Sequence, residues 1–186
     1  MKKHVLVWLA TAALLACAWV VTKVTLPDDA PSAPFVTTAQ IGEHATARNL
    51  VVTVTDVHLA DRVTDARGWS AEGTWLVVDL EAATGVTQDL SALSFAELTI
   101  GERTFSATER GTTFARQDLV TAVPRAGSLA FELPDDVRGD RATLRLGVPG
   151  AGVGEVQLDG VIDLPVDLAA LPVEAEVLLD ENGWAR

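Results

Sequence analysis

Two side chains with the chemistry of a catalytic base lie close together in the sequence. Asp56 and His58 are separated by one residue within a run rich in β-branched residues, so a strand would place both on one face. An aspartate beside a histidine can orient the imidazole as a general base. The chain has no Gly-Xaa-Ser-Xaa-Gly nucleophile elbow, and its single cysteine, Cys17, lies inside an apolar run. We therefore expect no enzymatic activity and assign no catalytic residue.

Glycines and acidic residues form two further patterns that resemble ligand sites. Gly150, Gly152 and Gly154 alternate with small residues, but no Lys-Ser or Lys-Thr pair closes this run as it would in a phosphate loop. Acidic clusters offer the oxygen atoms that calcium favours, without the spacing of a calcium loop, at Asp28/Asp29, Asp135/Asp136 and Asp180/Glu181/Asn182. Turn and cap chemistry explains these acids, so we expect no metal site and no cofactor.

Three residues are candidate contacts for a partner. Trp69 falls in a polar segment, where it either folds back over the edge of the domain or meets another molecule. Trp184, flanked by Gly183 and Arg186, either pins the tail to the domain or contacts a partner. Aromatic and arginine side chains are enriched at interface hot spots. Trp69, Trp184 and Arg186 are therefore the predicted partner contacts.

The charge balance excludes one class of partner. The chain of 186 residues carries 26 acidic and 14 basic residues, a formal net charge of −12, and every acidic residue lies at Asp28 or later. Such a charge repels nucleic acid and anionic membrane surfaces. We therefore expect no nucleic-acid binding, and either solubility or a cationic partner accounts for the acidity.

The N-terminal segment has the length and composition of a membrane anchor. Val5–Val21 is apolar except for Thr11, which makes it longer than the usual core of a signal peptide and long enough to span a bilayer. Lysines precede this run and acidic residues follow it. The N-terminus is therefore predicted to be cytoplasmic and the rest of the chain extracytoplasmic, in a single-pass protein of the cell membrane.

Two alternatives for this segment stay open. Leu14-Leu15-Ala16-Cys17 resembles a lipoprotein box, which would leave Cys17 lipidated and the helix removed. Ala16-Cys17-Ala18 could also be a small-residue cleavage site that releases a secreted form. All three interpretations place the folded domain outside the cytoplasmic membrane.

Short segments that alternate apolar and polar residues predict strands in the remainder of the chain. Gly73–Glu81 is apolar on both faces through its middle, which is typical of a central strand with only its far end in water. Ala60–Glu72 is polar and is predicted to be a long exposed loop. Leu171–Leu179 is predicted to be a last strand or a short helix. Further predicted strands are Leu50–Leu59, Phe95–Ile100, Thr104–Ala107, Ser128–Leu133, Ala142–Gly147 and Val156–Leu168.

The spacing of these strands predicts an all-β, immunoglobulin-like β-sandwich preceded by one N-terminal transmembrane helix. A single cysteine allows no intramolecular disulfide, so packing alone must hold the core. The predicted organisation is an anchor or signal sequence at residues 1–25, a Pro-rich spacer at 26–34, the sandwich at 35–149, and C-terminal strands, an arm and a tail at 150–186.

Several motifs in order resemble those of a bacterial domain family. They are Ile41-Gly42-Glu43 before the first long strand, Leu50–Val57, Trp75–Leu80, the Gly101 hairpin ahead of Phe105, Pro124 to Gly127, and Leu129–Pro134. Across Ile41–Gly147 the chain resembles the DUF4352 family, which consists of immunoglobulin-like extracytoplasmic domains of bacteria. The resemblance implies a surface-tethered accessory or binding module, and it brings no catalytic residue.

We therefore expect a membrane-anchored extracytoplasmic module that acts as an accessory, protein-binding subunit of an envelope or membrane complex such as a transporter. The alternative is a surface lipoprotein-like domain that binds a small ligand or an ion. The expected partners are the membrane, through the chain's own anchor, and a protein of the cell envelope.

Overall fold

Residues 2–24, 33–85, 91–149 and 158–185 are described by a computed structural model. The chain divides into two compact units, Met1–Ala33 and Pro34–Arg186. The first contains the helix α1 (Lys2–Val24). The second contains, in chain order, β1 (Phe35–Thr38), β2 (His44–Thr46), β3 (Val51–Thr64), β4 (Ser70–Ala83), β5 (Ser91–Ala92), β6 (Phe95–Ile100), β7 (Arg103–Ser106), β8 (Asp118–Leu119), β9 (Arg125–Leu133), β10 (Arg141–Pro149), β11 (Leu158–Asp167), β12 (Val173–Glu174), β13 (Val177–Leu178) and β14 (Gly183–Trp184).

Helix α1 has an apolar surface that is exposed among the described residues of its own unit. His4–Val21 is long and apolar enough to cross a membrane, and side chains such as Leu14 and Trp19 are exposed. The Thr11 hydroxyl donates a hydrogen bond to the Val7 carbonyl at 3.0 Å, which satisfies this polar group without water. These are the features of a spanning helix, and a signal sequence shares them.

Two sheets form the second unit. One has the strand order β1-β11-β10-β6-β7, in which β1 runs parallel to β11 and the other neighbours are antiparallel. In the other sheet β3, β4 and β9 are the long antiparallel strands; β2, β12 and β13 pair with β3, and β14 pairs with β9. A short pair, β5 with β8, lies apart from both sheets in the pairing scheme. The all-β sandwich predicted from the sequence is confirmed.

The core lies between the two sheets. Alternate residues of each long strand point into it, and these side chains are at most 1% exposed: Leu76, Val78 and Leu80 from β4, Leu129 and Phe131 from β9, Leu144 and Leu146 from β10, and Ile162 and Leu164 from β11. Burial of such side chains stabilises the fold by about 1.5–3 kcal/mol each. Alternation within Ser128–Leu133 and Ala142–Gly147 predicts five inward residues, and all five are buried in this core: Leu129, Phe131, Leu133, Leu144 and Leu146.

Strand β4 lies in the middle of its sheet, with β3 on one side and β9 on the other. Both of its faces are buried from Thr74 to Val78, as the apolar run in the sequence indicates. Burial on the second face has a specific cause, because the C-terminal part of the chain covers it.

The prediction that Ala60–Glu72 is a long exposed loop is wrong. Strand β3 continues to Thr64 and β4 begins at Ser70, so the two strands form one long hairpin. Register shifts between Val54 and Asp56 and between Ala60 and Arg62 bend the ladder. Val63, which is fully buried, supplies an apolar contact that the polar composition of the segment hides.

Residues 168–185, which we name the C-terminal arm, cross the outer face of the β3-β4-β9 sheet. The arm first pairs with β3 through β12 and β13, and the Leu179 amide donates to the Thr64 carbonyl. The next amide, of Asp180, donates to the Ser128 hydroxyl on β9, and β14 then pairs with β9. The segment Leu171–Leu179, predicted as one strand or a short helix, is therefore two short pairings with β3.

The arm completes a second apolar cluster outside the main core. Val177 and Leu179 of the arm pack with Trp75, Val77 and Ala130 of the sheet. Strand β11, which also lies beyond residue 149, is an inner strand of the first sheet. The sandwich therefore contains residues on both sides of the boundary predicted at residue 149.

Candidate functional site

A polar cluster interrupts the outer face of the β3-β4-β9 sheet. Asp56 and His58 share this face of β3, as their spacing predicts, and Asp56 lies directly opposite Asp79 of β4. One ligand atom from each of the three side chains lies within 4.8 Å of the others. Opposed residues of antiparallel strands point to the same face, so the ladder holds two carboxylates and an imidazole together. We name this group the Asp56–His58–Asp79 cluster.

The three side chains differ greatly in burial. The His58 side chain is 8% exposed, whereas that of Asp56 is 70% exposed. His58 Nδ1 lies 3.7 Å from Asp56 Oδ2, which is too long for a hydrogen bond, and among the described residues neither ring nitrogen of His58 has a hydrogen-bond partner. A buried polar group without a hydrogen-bond partner destabilises the folded protein by about 1–3 kcal/mol. Most buried polar groups have a partner, so the ring nitrogens of His58 need an explanation.

Asp79 is held by a short chain of hydrogen bonds. The Ser128 hydroxyl donates to Asp79 Oδ1 at 2.5 Å and accepts from the Asp180 amide at 2.9 Å. Burial raises the pKa of Asp79 above its usual value. The Ser128 hydrogen bond and His58 oppose this shift, whereas the negative charges of Asp180 and Asp56 add to it.

The sequence predicts two members of this cluster, Asp56 and His58, but not the third. Asp79 falls in the predicted central strand, Gly73–Glu81, where an acid that interrupts an apolar run is itself a signal. Its position opposite Asp56 depends on the register of β3 and β4, including the irregularity between Val54 and Asp56.

Trp69 packs back onto the domain. Its ring contacts the Trp75 ring edge to face, with centroids 6.1 Å apart. The turn that carries it is fixed by Asp65, whose Oδ1 accepts from the amides of Arg67 and Trp69 and whose Oδ2 accepts from the Thr112 amide. Of the two interpretations of Trp69, the structure therefore favours the capping aromatic over the partner contact.

Trp184 has a fixed backbone and an exposed ring. Its backbone lies in β14, paired with β9, and the next amide, of Ala185, donates to the Pro124 carbonyl. The side chain remains exposed, and the Arg125 guanidinium lies 5.5 Å from the ring centroid. The tail is thus pinned through its backbone, while the ring stays available to another molecule.

A cleft of about 690 Å³ opens beside this ring. Its lining includes Trp184 together with three acidic side chains, Glu81, Asp180 and Glu181. We name these four residues and the space between them the Trp184 cleft. An aromatic surface rimmed by carboxylates suits a cationic ligand or peptide.

The other predicted features have simpler explanations or lie outside the described residues. Asp135 and Asp136 open a short 3-10 turn that has no side-chain cap hydrogen bond; Asp136 pairs with Arg103, and Asp135 accepts a hydrogen bond from the Thr74 hydroxyl. Asp28, Asp29, Arg186 and the Gly150–Gly154 run lie outside the described residues.

Together, these observations define a β-sandwich domain preceded by an apolar helix. No protein-family model matches the chain, and no curated protein matches it. The predicted membership of the DUF4352 family therefore stays a prediction.

Three solved structures are similar to the chain. A candidate lipoprotein of Bacillus subtilis, ycdA, is 13% identical with a TM-score of 0.48, and the match covers 68% of this chain and 38% of that protein. The yjhA protein of the same species is 15% identical with a TM-score of 0.46, over 67% of this chain and 98% of that one. An uncharacterized β-sandwich protein of Clostridium difficile is 10% identical with a TM-score of 0.47, over 76% of this chain and all of that one.

Proposed function

We propose that this protein is a membrane-anchored, extracytoplasmic β-sandwich that binds a basic segment of another envelope protein at the Trp184 cleft. The single observation that carries the proposal is the Trp184 ring, which is 61% exposed although its backbone is held by β9. Large aromatic side chains on a rigid backbone are frequent binding hot spots, because little conformational entropy is lost on binding.

Charge supports a basic partner. Glu81, Asp180 and Glu181 line the cleft, and the whole chain has a formal net charge of −12. Acidic surfaces of this kind accelerate encounter with cationic partners and repel anionic ones. The partner therefore presents lysine or arginine side chains to the acidic rim, and an apolar or cationic group to the indole.

The anchor determines where such a partner is found. As an uncleaved anchor, a helix of the length and composition of α1 would keep the domain at the outer surface of the membrane. We place the partner in the same membrane or in the adjoining envelope. This chain would then act as an accessory subunit of a complex such as a transporter. The proposal assigns binding alone to this chain, with no catalytic step.

Photo-crosslinking in intact membranes tests the proposal. A photoreactive amino acid at position 184 of the full chain should give one discrete protein adduct. The matched control is position 178, because Leu178 is also an exposed apolar residue of the C-terminal arm. Equal adducts from positions 184 and 178, or none from 184, would contradict the proposal.

The charge requirement is tested separately. The double variant Glu81→Gln, Glu181→Gln should reduce the yield of the position-184 adduct severalfold, and raising the salt concentration should do the same. Glu102→Gln in the turn between β6 and β7 removes one charge away from the cleft and should leave the yield unchanged. A yield that ignores both salt and the cleft glutamates would exclude a basic partner.

A further inference from the structure

We propose that the Asp56–His58–Asp79 cluster binds one divalent transition-metal ion, such as Zn²⁺ or Mn²⁺. The inference goes beyond the proposed function, since its three ligands lie outside the Trp184 cleft and none of them is a residue tested by crosslinking. Three observations support it: the arrangement of the donor atoms, the burial of the His58 ring without hydrogen-bond partners among the described residues, and the surplus of negative charge.

The ladder brings the donors together without any contribution from a flexible loop. Asp56 and His58 lie two residues apart on β3, and Asp79 lies opposite Asp56 on β4. One donor atom of each lies within 4.8 Å of the other two. Donor atoms around a metal at about 2.0–2.2 Å are separated by roughly 3 to 4.4 Å, so small side-chain rotations close the site.

His58 is the observation that points to a metal rather than to a simple acidic patch. Its side chain is 92% buried, and within the part of the chain that the structure describes both ring nitrogens lack a hydrogen-bond partner. Nδ1 faces Asp56 Oδ2 at 3.7 Å. Imidazole is the commonest protein ligand for metals, and a metal on the nitrogen that faces the carboxylates would give this buried atom the partner it lacks.

The local charge also favours a cation. Asp56 and Asp79 are directly opposed on the ladder, an arrangement that is destabilising for like charges. Asp180 adds a third negative charge nearby, since its backbone amide donates a hydrogen bond to the Ser128 hydroxyl, which in turn donates to Asp79. Among the described residues, the arginine ion pairs involve other carboxylates than these three. A divalent ion would neutralise the opposed pair.

The donor set selects the class of ion. One nitrogen and two carboxylate oxygens suit zinc, manganese and related transition ions, whereas calcium and magnesium prefer oxygen alone. Ser128 acts as a positioning residue, since its hydroxyl orients the Asp79 carboxylate as outer-shell partners of metal ligands do. Because Asp56 is mostly exposed, the ion would keep positions open to water or to a further ligand.

Thermal unfolding of the detergent-solubilised full chain, stripped of metal with a chelator, tests the site. Zn²⁺ or Mn²⁺ at about 100 times its Kd should raise Tm by roughly 5–10 °C, and Ca²⁺ or Mg²⁺ should raise it far less. Titration calorimetry should give one ion per chain. No shift with either transition ion, or an equal shift with Ca²⁺, overturns the proposal.

Variants locate the ion. Asp56→Asn and His58→Leu should weaken binding at least about 100-fold, and Ser128→Ala about 10-fold, in keeping with losses of 10- to 100-fold at outer-shell partners. Because Asp56 is exposed, Asp56→Asn should fold normally. It therefore keeps the test valid even if His58→Leu fails to fold. The control is His44→Leu, an exposed histidine on β2, which should bind metal as the unaltered chain does. Full-strength binding by Asp56→Asn would place the ion elsewhere and refute the assignment.

Discussion

At the scale of single residues, Asp65 holds the turn between β3 and β4 in place through hydrogen bonds to its carboxylate. Burial of its carboxylate raises the pKa, but hydrogen bonds from Trp69, Thr112 and Arg67 outweigh burial, and the pKa lies below its usual value. The charged form is therefore stabilised in the folded protein. This contribution is present above the pKa of an unfolded aspartate, about 4, and is lost as the pH falls through the lowered native value.

The substitution Asp65→Asn tests this linkage. The amide cannot carry the charge, and its NH₂ group would face the Thr112 amide that now donates to Oδ2. We expect a lower Tm than that of the unaltered chain at pH 7, and a difference that shrinks as the pH falls below about 4. Thermal unfolding across this pH range measures it. A difference that stays constant from pH 7 to pH 2.5 would mean that the carboxylate charge contributes nothing.

Gly111 shows how closely Trp69 is packed. Its φ is +70°, and a Cβ placed on it would lie 2.5 Å from Cε3 of Trp69. Gly101, in the β6–β7 turn, also has a positive φ of +59°, but a Cβ there would have nothing within 4 Å. We expect Gly101→Ala to cost about 1 kcal/mol through backbone strain alone and Gly111→Ala about 2–4 kcal/mol, because overpacking adds to the strain. Urea unfolding of both variants gives the difference; equal losses would contradict the close packing of Trp69.

At the scale of elements, the local residue pattern predicted the positions of the strands better than it predicted their pairing and register. Alternation identified β9 and β10 and their inward residues, because the two-residue period of a strand is a local property. It failed at Ala60–Glu72, where pairing with the partner strand and burial of Val63 override a polar composition. It also could not place Asp79 beside Asp56 and His58, since that contact depends on the exact register of the β3–β4 hairpin, which shifts between Val54 and Asp56.

The C-terminal arm stabilises the sheet through alternate residues, and two neighbours test this. Leu179 is 2% exposed against Trp75 and Val77, whereas Leu178 is 62% exposed. We expect Leu179→Ala to lower the free energy of unfolding by about 2–4 kcal/mol, because it leaves a cavity in the second cluster. Leu178→Ala should change it by less than about 0.5 kcal/mol. Urea unfolding of the two variants measures both, and similar effects would mean that the arm does not pack as described.

At the scale of the whole molecule, the structure divides into two compact units, Met1–Ala33 and Pro34–Arg186, whose surfaces differ in kind. The first is a helix whose apolar surface suits lipid, and the second is an acidic sandwich whose apolar residues are held between and upon its sheets. This division follows from composition alone, which is why it could be predicted. The positions of the Trp184 ring and of the His58 nitrogens could not, because both depend on where the arm and the ladder place them.

Retention of helix α1 in the mature protein is the prediction that belongs to this scale. If α1 is an uncleaved anchor, the full chain should remain in membranes through alkaline extraction, and mass spectrometry of the membrane form should recover peptides from before Cys17. Cys17→Ser should change neither the mass, apart from the substituted atom, nor the membrane retention, because the anchoring free energy comes from the apolar length of the helix rather than from a lipid. A mature chain that begins at a lipidated Cys17, or one released to the aqueous fraction, would show that α1 is a signal sequence. Binding at the Trp184 cleft would then have to be tested with the lipidated form or with the released, soluble form of the protein.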